Sequence, residues 1–274
     1  MPNIIVNTEL CNRCNTCASI CLMHIIKPAQ EESYPSIDSR NENNCLLCGH
    51  CEAFCPQQAL VLDYLTEEKQ LYQEEESIIA PHHLALYMQK RRSIRYFKPE
   101  SVAKETITGI LEIARYAPTG GNSQTVQWLV IHDPKEVRRI SGLTVEWMRS
   151  IKDTPHPLAN YVPNIIKDWE NGLDPICRNA PHLVFAHIPT GDFIDDRTDA
   201  IIAITHFDIA APAFGVGACW AGFIQMAIDS YEPLMAALDL PPKRSVGFGL
   251  FFGYPELETK AIPRRNPLEV VWRT

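Results

Sequence analysis

The spacing of the cysteines constrains this chain more than any other feature. Eight of the ten cysteines form two runs with the same Cys-x2-Cys-x2-Cys-x3-Cys spacing. The runs are Cys11, Cys14, Cys17 and Cys21, then Cys45, Cys48, Cys51 and Cys55. Three thiolates with two residues between successive cysteines can wrap one iron–sulfur cluster from a tight loop, and the fourth ligand must come from elsewhere. The pattern therefore predicts two iron–sulfur clusters.

Two other interpretations of the same cysteines are weaker. A pair of zinc sites would leave the regular third and fourth cysteines of each run unexplained. A disulfide framework would require an oxidising compartment. The N-terminal residues Met1 to Glu9 show neither the basic leader nor the apolar core of a secretion signal, so we expect the thiols to mature in a reducing cytoplasm.

The first 64 residues resemble a bacterial-type ferredoxin that carries two 4Fe-4S clusters. The resemblance rests on the two cysteine runs, on the core Cys48-Gly49-His50-Cys51 and on Cys55-Pro56. In that family the last cysteine of each run crosses to the other cluster. The resemblance thus implies one cluster on Cys11, Cys14, Cys17 and Cys55, and another on Cys45, Cys48, Cys51 and Cys21. One departure is Leu22, which stands where the family usually has proline.

Charge and length indicate a further domain behind the cysteine repeat. Residues 1–64 hold 3 Lys/Arg against 7 Asp/Glu, residues 65–80 hold 1 against 5, and residues 81–274 hold 21 of each. We interpret 65–80 as an acidic linker between a two-cluster domain (1–64) and a second domain (81–274). An acidic front end repels nucleic acid and favours a basic face on a redox partner, so we expect no nucleic-acid partner.

The second domain alternates helical and strand patterns. Residues 104–117 place apolar side chains on one helical face, and residues 126–132, 183–188 and 245–252 are apolar enough for interior strands. The apolar run 200–228 contains Pro212 and several glycines, which favours buried globular structure over a membrane span. We therefore predict an α+β fold, and no membrane association.

Three polar segments of the second domain suit a phosphorylated planar ligand. Arg91-Arg92-Ser93-Ile94-Arg95 offers guanidinium and hydroxyl donors that suit phosphate oxygens. The turn of residues 117–124 allows close backbone approach and carries two amides, Asn122 and Gln124, that can bind a heterocycle edge. Residues 215–222 offer backbone amides and an aromatic wall at Trp220, and Arg264 and Arg265 provide a second pair of cations. Each segment alone is weak evidence, since such runs are common on solvated surfaces.

Taken together and in this order, the segments resemble the nitroreductase-like FMN-dependent oxidoreductases over residues 84–274. The whole chain resembles a ferredoxin–nitroreductase fusion, which implies a central, mostly antiparallel sheet flanked by helices. The resemblance assigns Arg91, Arg92 and Ser93 to the FMN phosphate and ribityl, and Arg95 to the pyrimidine edge. The remaining predicted FMN contacts are Pro118, Thr119, Asn122 and Gln124 from the other subunit, Cys219, Trp220, Ala221 and Gly222 along the ring, and Arg264 or Arg265 at the phosphate.

The resemblance further implies a homodimer, with a C-terminal strand near Leu268–Arg273 pairing with the partner's sheet. We expect the segment Gly142–Pro175 to form a helical lid over an apolar substrate cavity. No side chain is predicted to act as a nucleophile. Cys177 and Cys219 are interpreted as small buried apolar residues, because isolated thiols in apolar sequence usually are.

The two halves suggest a function when they are considered together. Clusters pass one electron at a time, whereas reduced FMN delivers two as a hydride. We expect electrons from an external low-potential donor or NAD(P)H to reach FMN through the clusters and to reduce a nitroaromatic, quinone-like or enone-like acceptor. Three alternatives stay open at this point: a non-catalytic electron carrier or redox sensor, an NAD(P)H-driven flavin reductase that passes electrons out through the clusters, and a docking platform without flavin.

Overall fold

The chain divides into two compact units. The computed structural model describes residues 3–38, 40–63, 78–191 and 197–274. Unit 1 comprises Met1–Ile78 with Thr119–Gln124, and unit 2 comprises Ile79–Pro118 with Thr125–Thr274. The predicted linker, 65–80, lies outside the described residues from 65 to 77.

Unit 1 is built from short elements around a small apolar core. Strands β1 and β4 pair antiparallel, as do β2 and β3. The core consists of isoleucine and leucine side chains with Cys17, and several other cysteines pack against it. The elements are β1 (Ile4–Val6), α1 (Thr16–Ile20), β2 (Ile26–Lys27), β3 (Ser36–Ile37), α2 (His50–Ala53) and β4 (Leu60–Leu62), with a 3-10 turn at Glu42–Asn44.

The 34-residue repeat of the cysteines is also a repeat of the backbone. Three pairs of residues separated by 34 positions have positive φ, a region that most side chains avoid. The pairs are Arg13 and Leu47 (57° and 52°), Asn15 and Gly49 (61° and 73°), and His24 and Gln58 (52° and 52°). Asn15 and Gly49 immediately precede α1 and α2. The two cysteine runs therefore adopt the same local conformation.

Unit 2 is an α+β structure around one antiparallel sheet of order β5-β6-β8-β7. The strands are β5 (Gln127–Ile131), β6 (His182–Pro189), β7 (Gly217–Trp220) and β8 (Arg244–Gly253). The helices are α3 (Pro81–Lys90), α4 (Lys104–Ala114), α5 (Pro134–Ile151), α6 (Val162–Glu170), α7 (Thr198–Ala210), α8 (Gly222–Ile228) and α9 (Glu232–Ala237), with 3-10 turns at Gly120–Asn122, in the stretch assigned to unit 1, and at Ala211–Phe214.

Helices cover both faces of this sheet. Alternate residues of a strand point to opposite faces, and Leu183 and Phe185 accordingly join a core with α5, α6, α8 and α9, whereas Val184 and Ala186 join a second core with α4 and α7. The predicted strands near 183–188 and 245–252 are the central β6 and β8. The third, 126–132, was predicted to be interior and is instead the edge strand β5, whose residues before Ile131 are only partly buried or exposed.

The predicted lid segment, Gly142–Pro175, is partly core and partly surface, with Tyr161 64% exposed, and the expectation of a lid was wrong for Trp147 and Met148. Trp147 and Met148 are 2% and 0% exposed and pack in the core as part of α5. Their apolar character follows the helical period that buries one face of α5. Pro175, at the end of the segment, lines a cavity of unit 2. In the described residues, no helix is long and apolar enough to cross a membrane.

Two buried histidines of β6 are held as neutral hydrogen-bond acceptors. His182 Nε2 accepts the Val102 N–H at 2.8 Å, and His187 Nδ1 accepts the Arg244 Nε–H at 2.9 Å. Burial lowers the pKa of each imidazole to about 4, helped by the His132 ring for His182 and by the charge of Arg244 for His187.

This arrangement predicts a loss of stability in mild acid. The unfolded chain binds a proton at each histidine near pH 6.5, whereas the folded chain does so near pH 4. Stability is thus fully present above pH 6.5 and falls toward pH 4, by up to about 1.4 kcal/mol per pH unit for each histidine. NMR titration of the imidazoles checks this: both rings should stay neutral at pH 5.5. Titration of either ring near pH 6.5 would contradict the prediction.

Candidate functional site

The eight clustered cysteines surround two separate hollows in unit 1. One hollow is lined by Cys11, Cys14, Cys17 and Cys55. The other is lined by Cys21, Cys45, Cys48 and Cys51. Each run thus contributes its first three cysteines to one hollow and its fourth to the other, which is the grouping that the ferredoxin resemblance implies.

The thiols of each group are close enough to affect one another's ionisation. Burial, together with the charges of Cys48, Cys45 and Cys21, raises the pKa of Cys51 to about 11. Burial also raises the pKa of Cys17, with contributions from Cys55 and Cys11. Four thiolates that repel one another suit a site whose positive metal ions offset that repulsion.

The donor set fits a four-iron cluster. Soft thiolates are the ligands that such clusters use, and hydrogen bonds to the sulfurs tune their potential. The Ala59 N–H donates to Cys55 Sγ at 3.2 Å, and Cys14 Sγ and Thr16 Oγ1 share a hydrogen bond of 3.3 Å. Within the described ranges no three His, Cys, Asp or Glu are placed to share a single ion, whereas in a cubane each thiolate binds a different iron.

In unit 2 the basic segment Arg91–Arg95 follows α3 and lies against β7. Ile94 N–H donates to Ala218 O at 3.0 Å, which aligns the segment with the strand. Gly217 permits this approach, because a Cβ there would come within 2.5 Å of Ile94 Cγ1. The segment and β7 therefore present their side chains to the same region of unit 2.

Arg91 is already engaged by a buried carboxylate. Its Nη1 lies 3.2 Å from Asp208 Oδ2, which also accepts the Trp220 Nε1–H at 3.0 Å. Asp208 is only 5% exposed. Burial raises the pKa of this carboxyl, while the hydrogen bond from Trp220 and the charge of Arg91 act against the rise. Asp208 thereby holds both Arg91 and the aromatic wall at Trp220 in place.

Two cavities of unit 2 divide the predicted FMN residues. A cavity of about 240 Å³ is lined by Arg95 and by Cys219, Trp220, Ala221 and Gly222, together with Arg178 and mostly apolar side chains. A cavity of about 510 Å³ is lined by Arg91 and Arg92, with Tyr87, Lys90, Asp208, Glu258 and the preceding residues of β7. Burial raises the pKa of the Cys219 thiol, and hydrogen bonding with the Ser93 side chain acts against the rise.

The structure places the other predicted FMN contacts elsewhere. Thr119, Asn122 and Gln124 belong to unit 1. The Asn122 amide donates to Leu46 O at 3.1 Å and Leu47 O at 3.0 Å, carbonyls between two predicted cluster ligands. Their predicted role toward the flavin of another subunit requires a second chain and stays a prediction, as does that of Pro118.

The C-terminal arginines also lie apart from these cavities. Arg264 and Arg265 stand in an exposed segment without helix or strand, and neither lines the 240 or the 510 Å³ cavity. In the structure this segment does not bring either arginine to the lining of these cavities. Their contact with phosphate stays a prediction.

Two residues of the site were missed from the sequence. Asp208 is the sole carboxylate of the apolar run 200–228, and a lone carboxylate in an apolar run is a signal of a buried ion pair. Arg178 carried no usable signal, because it is isolated in the sequence and reaches the cavity only through a turn of the tertiary structure. Cys177 is fully buried, and burial raises its pKa well above the ordinary thiol value, which agrees with its interpretation as a small apolar residue.

Asp208→Asn is expected to lower the free energy of unfolding by about 2 kcal/mol, since it leaves the Arg91 guanidinium without its anionic partner. Asparagine can still accept from Trp220, so the charge is what changes. Urea unfolding measures the difference. The matched control is Glu136→Gln, which breaks the exposed pair of Glu136 and Arg139 and should cost less than about 1 kcal/mol. Equal losses in the two variants would contradict the importance of the buried pair.

Comparisons with known proteins agree with this geometry. The sequence model described as "Nitroreductase family" matches residues 88–254, and the one described as "4Fe-4S dicluster domain" matches residues 10–60. An iodotyrosine deiodinase of Hydra vulgaris is 27% identical over 142 residues, 49% of this chain and 49% of that protein. The match thus spans about half the length of this relative.

Solved structures share the fold of unit 2. A nitroreductase with bound FMN from Desulfitobacterium hafniense is 20% identical, with a TM-score of 0.55 over 69% of this chain and 97% of that one. An iodotyrosine deiodinase bound to FMN and 3-iodo-L-tyrosine is also 20% identical, with a TM-score of 0.55 over 70% of this chain and 99% of that one. At this identity the likeness concerns the fold.

Proposed function

Because the chain belongs to the nitroreductase family and carries a 4Fe-4S dicluster domain before it, we propose that it is an oxidoreductase that takes up single electrons at its iron–sulfur domain and delivers them in pairs, through FMN, to a small organic acceptor. The observation that carries the proposal is the presence, in one chain, of two four-cysteine groups and a basic cavity bounded by Arg95 and the segment Cys219–Gly222. A one-electron carrier and a two-electron site are the two parts that such a reaction requires.

The residues of unit 2 fit a flavin phosphate ester. Arg95 and the segment Cys219–Gly222 line the 240 Å³ cavity, and no carboxylate is among its lining residues, which suits the electron-rich pyrimidine edge of the flavin beside Arg95. When bound, FMN would supply the conversion between one-electron and two-electron transfer. Two solved relatives of the same fold have FMN in their names, which supports the same cofactor here.

The side chains of the chain have separable tasks in this proposal. Arg95 places a positive charge at the flavin edge and favours the anionic reduced form. Trp220, held by Asp208 and tilted against Phe248 at 4.8 Å between ring centroids, forms a fixed wall. Arg92, which lines the larger cavity, is freer than the ion-paired Arg91 to bind phosphate. Arg91 acts chiefly by positioning this wall.

A homodimer is part of the proposal. The C-terminal segment exposes large apolar side chains, with Leu268 and Val271 each 89% exposed and Trp272 84%. Such a concentration of apolar surface favours burial against another chain. A second copy would also provide the amides of Asn122 and Gln124 that the family resemblance assigns to the neighbouring flavin.

The donor, the acceptor and the compartment are likewise proposals. We infer a low-potential electron donor, or NAD(P)H, and a nitroaromatic, quinone-like or enone-like acceptor. Eight cysteines that bind clusters as thiolates require a reducing compartment, so the cytoplasm is the proposed location.

Anaerobic stopped-flow spectroscopy of the cluster-loaded, FMN-loaded protein tests the proposal. A reduced ferredoxin-type donor or NAD(P)H is added while the absorbances of clusters and flavin are followed separately. Bleaching of the clusters before the flavin, followed by acceptor turnover, is the expected result. Flavin reduction by NAD(P)H ahead of the clusters would reverse the direction of electron flow. Reduction of both centres with no turnover of any acceptor class would favour a carrier or sensor.

A further inference from the structure

The turn before β6 is held by one buried carboxylate. Asp174 is 5% exposed. Its Oδ1 accepts the N–H groups of Ile176 at 3.1 Å and Cys177 at 3.0 Å, and its Oδ2 accepts the hydroxyl of Ser141 at 3.3 Å. Three hydrogen bonds to one buried side chain leave this turn little freedom.

The same turn contains two successive residues in the left-handed region. Arg178 and Asn179 have φ of 58° and 55°. Neither is glycine, and such conformations persist only where the surroundings enforce them. The enforcing bonds are Arg178 N–H to Asp174 O at 3.1 Å and Ala180 N–H to Cys177 O at 3.0 Å. Hydrogen bonds of the buried turn therefore fix the backbone position of Arg178.

That position is at the 240 Å³ cavity, where Arg178 lies with Arg95. The charges of both arginines lower the pKa of the Cys219 thiol, although burial outweighs them. Both guanidinium groups therefore lie close enough to Cys219 to affect its ionisation. In the part of the chain that the structure describes, neither guanidinium makes an ion pair or a side-chain hydrogen bond. Among the described residues that line it, the cavity thus has two cations and no carboxylate.

We propose that Arg178 binds an anionic group, a carboxylate in the simplest case, of the acceptor that this cavity receives. The proposal rests on the proposed function and adds the substrate class: a small planar acceptor that carries a negative charge. A guanidinium binds a carboxylate through two parallel hydrogen bonds, which fixes orientation as well as affinity. Two neighbouring unpaired cations in a partly enclosed site also attract an anion more strongly than one.

The phosphate or pyrimidine of FMN offers the same chemistry to Arg178, so the test must separate cofactor from acceptor. The holoprotein is compared with Arg178→Gln and Arg178→Lys, and with Arg149→Gln as the matched control. Arg149 pairs with Glu146 and Glu170 on the surface and lines neither cavity, so this control removes the same charge elsewhere.

Three measurements are made on each variant. Binding of benzoate to the oxidised holoprotein is followed by the perturbation of the flavin spectrum, which needs no turnover. KM and kcat are determined for 4-nitrobenzoate and for neutral nitrobenzene. The dissociation constants of FMN and riboflavin are determined for the protein stripped of flavin.

We expect Arg178→Gln to weaken benzoate binding and raise the KM for 4-nitrobenzoate by about tenfold or more, the effect of losing one charged hydrogen-bond partner. Nitrobenzene kinetics and FMN affinity should stay within about twofold, Arg178→Lys should restore part of the effect, and Arg149→Gln should show none. Equal losses for both acceptors, or a loss confined to FMN affinity, would overturn the proposal. Benzoate binding that depends on Arg178, in a protein that turns over no nitroaromatic, quinone-like or enone-like acceptor, would retain the anion site and refute the proposed function instead.

Discussion

Replacing Cys21 and Cys45 together by serine is expected to remove one iron–sulfur cluster and leave the other intact. The two residues come from different cysteine runs, yet they line the same hollow of unit 1. The crossed pairing thus assigns both to one cluster, so the double variant should retain about half of the iron, because Cys11, Cys14, Cys17 and Cys55 still surround the other hollow. Iron and sulfide per chain, with the EPR spectrum of the reduced protein, measure the result.

A second double variant makes the test decisive. Cys17→Ser with Cys21→Ser removes two neighbours from one run, which the crossed pairing assigns to different clusters, and should abolish both. If each run instead bound its own cluster, the outcomes would be exchanged. The double variant at Cys21 and Cys45 would then lose both clusters, and the double variant at Cys17 and Cys21 would lose only one. Cys177→Ala serves as the control, because this buried thiol lies outside both hollows.

Gly249→Ala is expected to destabilise unit 2 by about 3 kcal/mol and to lower its FMN content. A Cβ at Gly249 would overlap the ring of Phe185, which is fully buried at the pairing position on β6. The added methyl group has no room in a close-packed core. Gly249 O also accepts the Ala221 N–H at 2.9 Å, so a shift of β8 would displace the cavity wall at Ala221.

Gly191→Ala is the matched control for this substitution. Among the described residues, no atom lies within 4 Å of the Cβ that it adds, so its effect on the free energy of unfolding should stay within about 0.5 kcal/mol. Urea unfolding and the ratio of flavin to protein absorbance after purification measure both expected effects. Equal stability of the two alanine variants would show that β8 can move away from Phe185 at little cost.

The cysteine runs show how far local sequence can predict this protein. Their identical spacing predicted two four-thiolate groups, and the structure gathers the same eight cysteines around two hollows. Such a prediction is possible because a cluster loop is a short segment, whose conformation depends on neighbours such as Gly49 and Asn15 rather than on distant packing. The apolar runs that became β6 and β8, and the apolar face of α4, were predictable for the same reason: their periods report burial directly.

The contacts of charged side chains could not be predicted in this way. Arg91 was predicted to bind phosphate, a role that stays a prediction, and its pairing with Asp208, 117 residues further along the chain, had no local signal. The amide of Asn122 was expected at a flavin and here binds the backbone of Leu46 and Leu47. Trp147 was expected in a lid and is buried, because an aromatic residue suits a cavity or a core equally and only packing decides between them.

The sequence by itself therefore determined the kinds of groups that this protein carries: eight thiolates in two repeats, a basic segment before an antiparallel sheet, and apolar strands to bury. Only the tertiary structure decided which cations are neutralised and which remain open, as Arg91 and Arg178 show. The reason is physical. A short-range pattern encodes burial and local conformation, whereas an ion pair or a cavity depends on which distant segments the packed core brings within a few ångströms.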